Sequence, residues 1–136
     1  MWQDFTDYIL NEAGSEEIKI AEIGVGKFDK IAESLSKKDN ITIIKTDISP
    51  KDSTVIKDDV TNPNLDLYKD VRIIYSIRPP SELQPHLVNL ALKINSQLII
   101  KPLTNEDLNT GKVKMKLKNY GRSSFYILRW LNGYPF

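Results

Sequence analysis

A chain of 136 residues is a single domain's worth of sequence, long enough to bury about two-thirds of its unfolded surface without disulfide or metal staples. The absence of Cys and the single His, His86, exclude disulfides, thiolate metal sites, cysteine nucleophiles and a histidine-rich metal centre, and fit a reducing, cytoplasmic setting. Nineteen basic against eighteen acidic residues leave a net charge of +1, so no global field steers the chain toward nucleic acid or an acidic membrane.

Met1-Trp2-Gln3-Asp4-Phe5 has neither the basic nor the apolar stretch of a leader, no apolar run approaches the ~18 residues of a membrane span, and a soluble protein is expected. Trp2, Phe5, Tyr8 and Ile9 recur at helical spacing and predict a short helix that stops at Ala13-Gly14-Ser15. Ile18 to Ile23 alternates as a strand and runs into Gly24-Val25-Gly26, after which Phe28, Ile31, Ala32 and Leu35 form one stripe of an amphipathic helix. Ile41 to Thr46 reads as a buried parallel strand ending at Asp47, followed by a brief strand at Thr54-Val55-Ile56 and another over Val71 to Tyr75. The link from Asp58 to Asp70 has room for a turn or two of helix. Ser81 and Gln84 predict a capping box for a helix carrying Leu83, Leu87, Leu90, Ala91 and Ile94, with Pro85 in its first turn. Gln97 to Ile100 is a further strand.

The last third changes character. Lys112, Lys114, Lys116 and Lys118 alternate with Val113, Met115 and Leu117, as on a strand with one wet face. Phe125 to Leu131 is apolar on both faces apart from Arg129 and needs neighbours on both sides. Turn residues at Asn119 to Ser123 join the two into an antiparallel hairpin with the lysine strand outermost.

A strand that enters Gly24-x-Gly26 and leaves as a helix offers backbone N–H groups and bare Cα atoms to a polar ligand. Asp47 stands twenty-one positions after Gly26 at the end of the next strand, where an acid can accept both hydroxyls of a ribose. The same residues also read as a plain glycine turn and an Asp-Ile-Ser-Pro turn. Asp29 occupies the place where a dinucleotide fingerprint has Gly or Ala, which disfavours NAD, and no Walker Gly-Lys-Ser/Thr is present. Glu22, just before the loop, would repel a pyrophosphate and suits the ammonium and sulfonium of S-adenosylmethionine.

In Glu22-Ile23-Gly24-Val25-Gly26, in Asp47 and in the closing hairpin the chain resembles the class I, Rossmann-like S-adenosylmethionine-dependent methyltransferases. Ile56-Lys57-Asp58-Asp59-Val60-Thr61-Asn62-Pro63 and Tyr75-Ser76-Ile77-Arg78-Pro79-Pro80-Ser81-Glu82-Leu83 are similar to a family of small, uncharacterised archaeal proteins of this fold. The resemblance spans about Ile18 to Leu131. It implies an α/β, three-layer Rossmann-like domain in minimal form, with a mostly parallel sheet and a C-terminal antiparallel hairpin. It further implies an S-adenosylmethionine site in which Gly24, Val25 and Gly26 form the loop, Asp47 binds the ribose, Asp58 or Asp59 accepts from the adenine amino group, and Glu22 acts on the methionine end.

Ser76-Ile77-Arg78-Pro79-Pro80 follows the fourth strand, where ligands of open α/β sheets sit, so Ser76, Arg78, Pro79 and Pro80 are expected to face the substrate. Amino-methyltransferases commonly place Asn or Asp before Pro-Pro to accept from the target amine. Arg78 cannot accept a hydrogen bond, but it could clamp a carboxylate or phosphate; it could also simply cover the sheet edge. His86 is assigned to the surface and the lysine row to an edge guard, with phosphate contact as its alternative. Trp130, Tyr134 and Phe136 either close the core or form a contact surface. The short links from Asp58 to Asp70 and from Leu103 to Gly111 would leave a bound cofactor half open, to be completed by a partner subunit. Three functions follow from these residues: a methyltransferase on an unidentified acceptor, a cofactor-binding module without turnover, and a nucleic-acid or protein interaction domain on the same fold.

Overall fold

The β-branched runs pair as their alternation predicts. In the computed structural model, which describes residues 2–102, 108–131 and 134–135, β1 (Ile18–Ile23) lies between β2 (Ile41–Asp47) and β4 (Val71–Ile77), parallel to both. β3 (Ile56–Lys57) extends the sheet beyond β2, and β5 (Gln97–Lys101) beyond β4, again in parallel. β7 (Ser123–Leu128) is antiparallel to both β5 and the outer strand β6 (Lys116–Tyr120), giving the seven-stranded order β3-β2-β1-β4-β5-β7-β6. Of the doubly apolar segment Phe125 to Leu131, the part up to Leu128 thus fills the slot between two strands, while Trp130–Leu131 leaves this sheet.

Helices cover both faces. α1 (Trp2–Ala13) and α2 (Lys30–Ser36) bury Phe5, Tyr8, Ile9, Ile31 and Leu35 against Ile20, Ile73, Tyr75, Ile99 and Phe125. On the other face α3 (Gln84–Ile94) packs Leu87, Val88, Leu90 and Ala91 onto Ala21, Ile23, Ile74, Leu98 and Ile100. Phe125 meets Phe5 edge-on at 5.1 Å and Tyr8 at 4.7 Å, tying the first helix to the last sheet strand. Asp4 adds a hydrogen bond from the Arg122 amide at 2.8 Å, and Glu12 an ion pair with Arg129.

Four local expectations change. Ser81 and Gln84 form no capping box: Ser81–Leu83 is a 3-10 turn, and Gln84 begins α3 with its amide donating to Pro79 O and its carbonyl accepting from the Asn109 amide. The side chain bridges two loops instead of capping one helix. Asp29, Lys30 and their neighbours start α2 four residues after Gly26, so the glycine loop does not feed directly into a helix. The lysine strand begins only at Lys116, and its faces are exchanged: Lys118 lies 6.0 Å from the Tyr8 ring while Leu117 is 57 % exposed. At this edge α1 supplies an apolar surface for a lysine stem to lie on, whereas no helix among the described residues covers the opposite face. Finally, β8 (Trp130–Leu131) and β9 (Tyr134–Pro135) pair in a small separate hairpin that the sequence reading does not anticipate. There Trp130 Nε1 donates to Ser96 O at 2.7 Å and Tyr134 is exposed, while Phe136 lies outside the described residues.

Gly121, at the β6–β7 turn, has φ of +59°, and a Cβ there would stand 2.5 Å from the Asp4 carboxylate. Gly121→Ala is expected to lower stability by about 1–2 kcal/mol in urea unfolding, because the left-handed turn strains any side chain. An unchanged midpoint would show that Asp4 swings aside and the turn relaxes.

Candidate functional site

The residues singled out by sequence converge on one edge of the sheet, at the carboxyl ends of β1 to β4, but they do different things there. Asp47 closes β2 with Oδ2 accepting from the Gly26 amide at 2.9 Å and Oδ1 from the Ser49 amide at 2.8 Å. The expected pairing of strand-end acid and glycine loop is therefore a direct contact. The Gly24 and Val25 amides, at 2.9 and 3.4 Å, both donate to Thr46 O. This corrects the expectation that the loop aims its N–H groups at a ligand: all three are committed to the end of β2. What the loop offers outward is bare Cα surface. A Cβ on Gly26 would meet nothing within 4 Å, and one on Gly24 only Ser76 Oγ at 3.8 Å, while φ of +58° and +73° keeps side chains out of both positions.

Glu22 lies on the α1–α2 face, two residues along from Ile20, and is 1 % exposed. Its Oε1 accepts from the Tyr75 hydroxyl at 2.6 Å, and its Oε2 is buried without a hydrogen-bond partner among the described residues. Burial pushes the Glu22 carboxyl up to about 7, against the opposing pull of the Tyr75 hydrogen bond and the Lys45 charge. The Tyr75 phenol is raised by its own burial and by Glu22. A carboxyl so placed is only partly charged near neutrality. Its sequence-level role as a fixed negative charge becomes that of a buried group able to gain or lose a proton.

Asp58 and Asp59 are already in use. Asp58 accepts from the Tyr68 hydroxyl at 2.7 Å and the Asn64 amide at 3.0 Å, and Thr46 Oγ1 lies 3.0 Å from that hydroxyl, so the three side chains lock the 3-10 turn at Leu65–Tyr68 to β2. Asp59 holds the Thr61 amide and hydroxyl in a tight Asx turn, which lowers its pKa. Between the turn and the sheet, Val60 joins Ile23, Gly24, Ser76, Arg78 and Pro80 around a narrow cleft of about 50 Å³, closed below by Leu83 and Leu87 of the α3 region. Ser76 Oγ donates to Ile23 O at 2.8 Å and so anchors the loop from within, leaving Arg78, Pro79 and Pro80 as the outward part. His86 is half-buried on the helix behind this cleft.

Several contributors carry no sequence signal of their own. Tyr75 finds Glu22 only because the strands pair Glu22 with Tyr75 in register. Lys51 pairs with Asp29 at 2.5 Å, which gives Asp29 a structural task and leaves α2 without a side-chain cap. Ile48, directly after Asp47, is 61 % exposed and presents an apolar surface beside the acid.

A 3-2-1-4-5-7-6 strand order with helices on both faces, glycines after the first strand and an acid after the second define a Rossmann-like fold of the class I methyltransferase type. Solved structures of that class superpose on it: an S-adenosyl-L-methionine methyl transferase from Silicibacter pomeroyi, with a TM-score of 0.60 over 95% of this chain and 91% of that one at 8% identity, and a SAM dependent methyltransferase from Aquifex aeolicus, with a TM-score of 0.52 over 90% and 87% at 15% identity. At such identities the likeness is one of fold. The chain itself belongs to the Uncharacterised protein family (UPF0146), whose sequence model matches residues 2–130. Its relatives include UPF0146 proteins of Methanothermobacter thermautotrophicus, 40% identical over 93% of both chains, and Methanocaldococcus jannaschii, 47% identical over 80% of this chain and 82% of the other. No helix among the described residues is long and apolar enough to cross a membrane.

Proposed function

We propose that this protein binds S-adenosylmethionine across the carboxyl ends of β1, β2 and β4 and presents its methyl group to an acceptor lying over the Ser76–Pro80 loop. The observation that carries the reading is the Asp47–Gly26 contact, which sets a strand-end carboxylate beside a bare glycine surface. Each Asp47 oxygen accepts one bond from the chain and retains a second lone pair for a ribose hydroxyl. Exposed Ile48 offers apolar surface to a purine. Gly24, Val25 and Gly26 allow close approach, and the unpartnered Oε2 of Glu22 suits the cationic end through an intervening water. Asp59 or Asp58 would accept from the adenine amino group with a lone pair left over from the turn.

Bound S-adenosylmethionine supplies an electrophilic sulfonium methyl, so the chain's own contribution is alignment and exclusion of water rather than strong acid or base chemistry. Arg78 in the place before Pro-Pro offers only donors and points away from a base amine as acceptor. The narrowness of the cleft favours a second reading, a binding module without turnover.

Calorimetric titration of S-adenosylmethionine and S-adenosylhomocysteine, with NAD as control, tests the site. Saturable binding of the first two is expected, weakened about 10- to 100-fold in Asp47→Ala through loss of charged acceptors. Folded wild type that takes up neither ligand would remove the cofactor from the reading. Binding without methyl transfer to any acceptor class would leave the module.

A further inference from the structure

Above the α1 face, at the ends of β4 and β5, two cations and two aromatic rings form a cluster that binding of S-adenosylmethionine does not use. The chain leaves β4 through a left-handed residue, Arg78, with φ of 52° and its amide donating to Lys101 O at 2.6 Å. Non-glycine residues rarely occupy that region, and such backbone strain concentrates at functional loops. The Arg78 guanidinium lies 5.4 Å from the Trp2 ring centroid at the start of α1, and Trp2 in turn packs on Phe28 at 4.6 Å. Lys101, the last residue of β5, is paired in register with Ile77 and is only partly exposed. One of its three N–H donors goes to Ser124 O at 2.6 Å, leaving two.

We infer that Arg78 and Lys101 form an anion seat, walled by Trp2 and Phe28, for the carboxylate or phosphate of a small acceptor molecule. Among the described residues no carboxylate pairs with either cation, and nothing accepts a hydrogen bond from the Arg78 guanidinium. Two other cations near the sheet's carboxyl edge are engaged, Lys51 with Asp29 and Lys45 with the Thr54 hydroxyl. Burial and the proximity of Arg78 lower the Lys101 pKa, so like charges are held together with no anion among the described residues to offset them. An anion bridging both cations would relieve that repulsion. Arg78 supplies planar, bidentate donors for it, and Lys101 a point charge. The ring wall suits an acceptor with a flat or apolar body, and the seat's position beside the Ser76–Pro80 loop places that body next to the cofactor edge. That this anion belongs to a methyl acceptor rests on the cofactor site proposed above; its binding does not.

The test uses benzoate and phenyl phosphate as anionic probes and benzamide as the neutral match. Each is titrated by NMR into the full chain with and without S-adenosylhomocysteine, following the Trp2 indole and the Arg78 and Lys101 amides. Both anions are expected to saturate these signals and benzamide to leave them in place, with affinity reduced about tenfold in Arg78→Gln and again in Lys101→Gln. Benzamide binding as well as benzoate, or anion affinity unchanged in both variants, would overturn the seat. Tighter binding of a short single-stranded oligonucleotide than of phenyl phosphate at the same residues would overturn the small-acceptor assignment. Anion binding in protein that ignores S-adenosylhomocysteine would sustain the seat and remove the cofactor together with the methyl-acceptor assignment. The wild-type arms decide the matter even if a variant folds poorly.

Discussion

Glu22→Gln is expected to make the protein more stable than wild type at about pH 8, by about 3 kcal/mol, and to leave stability unchanged at about pH 4. The sign follows from burial. The Glu22 carboxyl rises from 4.5 to about 7 on folding, so between those values the native chain holds a proton that the unfolded chain has released. Stability therefore falls as pH rises through this window and levels off above it. Gln keeps an oxygen to accept from Tyr75, removes the ionisation and flattens the curve. Chemical denaturation of both proteins across pH would read this directly, and parallel curves would show that Glu22 stays charged in the native state. The same linkage gives the cofactor proposal an extra signature: a cationic ligand near Glu22 favours the ionised form, so its binding should release a proton. Calorimetry in buffers of different ionisation enthalpy would detect it.

The largest structural effect is expected from Phe125→Ala. Phe125 is fully buried and touches Phe5 and Tyr8 of α1, so its removal should cost about 3–5 kcal/mol, the range for deleting a large aromatic from a packed core. The loss should not be uniform. α1 rests on this ring, and its amides should lose hydrogen-exchange protection before those of β1, which is held on both sides by parallel neighbours. Because Trp2 heads α1, the variant should also loosen the aromatic wall beside Arg78 and blunt anion binding. Equal loss of protection in α1 and β1 would mean that the helix and the sheet open as one unit.

The sheet was legible where composition and position agree. Ile18 to Ile23 has alternation on one side and a glycine stop on the other, and its predicted and observed limits coincide. Phe125 to Leu131 is apolar on both faces apart from Arg129, which only an inner strand tolerates, and this places β7 between β5 and β6, although the strand stops at Leu128. Where one residue type serves two purposes, legibility failed. Ser81 and Gln84 carry the letters of a capping box, but Gln84 is drawn to Pro79 and Asn109, partners that sequence spacing does not reveal. Lys118 looks solvent-facing until α1 brings Tyr8 beneath it.

The candidate site divides in the same way. Asp47 and Gly26 could be paired from spacing because adjacent parallel strands end side by side. The fate of the loop amides could not, since Thr46 O competes for them through backbone geometry alone. Tyr75 lies fifty-three positions from Glu22, and only the β1–β4 register joins them. Lys101 and Trp2 gain meaning solely from their shared position around Arg78.

The bonds from α1 to the β6–β7 turn and to the residue just beyond β7 join distant parts of the sequence: Asp4 to Arg122 crosses 118 positions and Glu12 to Arg129 crosses 117. On a ribosome α1 therefore meets Ile20, Ile73 and Tyr75 early but gains Phe125, Arg122 and Arg129 only after the sheet's final strands have been synthesised. Until then the face carrying Phe5 and Tyr8 is only partly covered, and long loop closures of this kind slow folding. A bulky insertion in the β6–β7 turn should thus disturb α1, far away in sequence, by loosening its hold on the sheet.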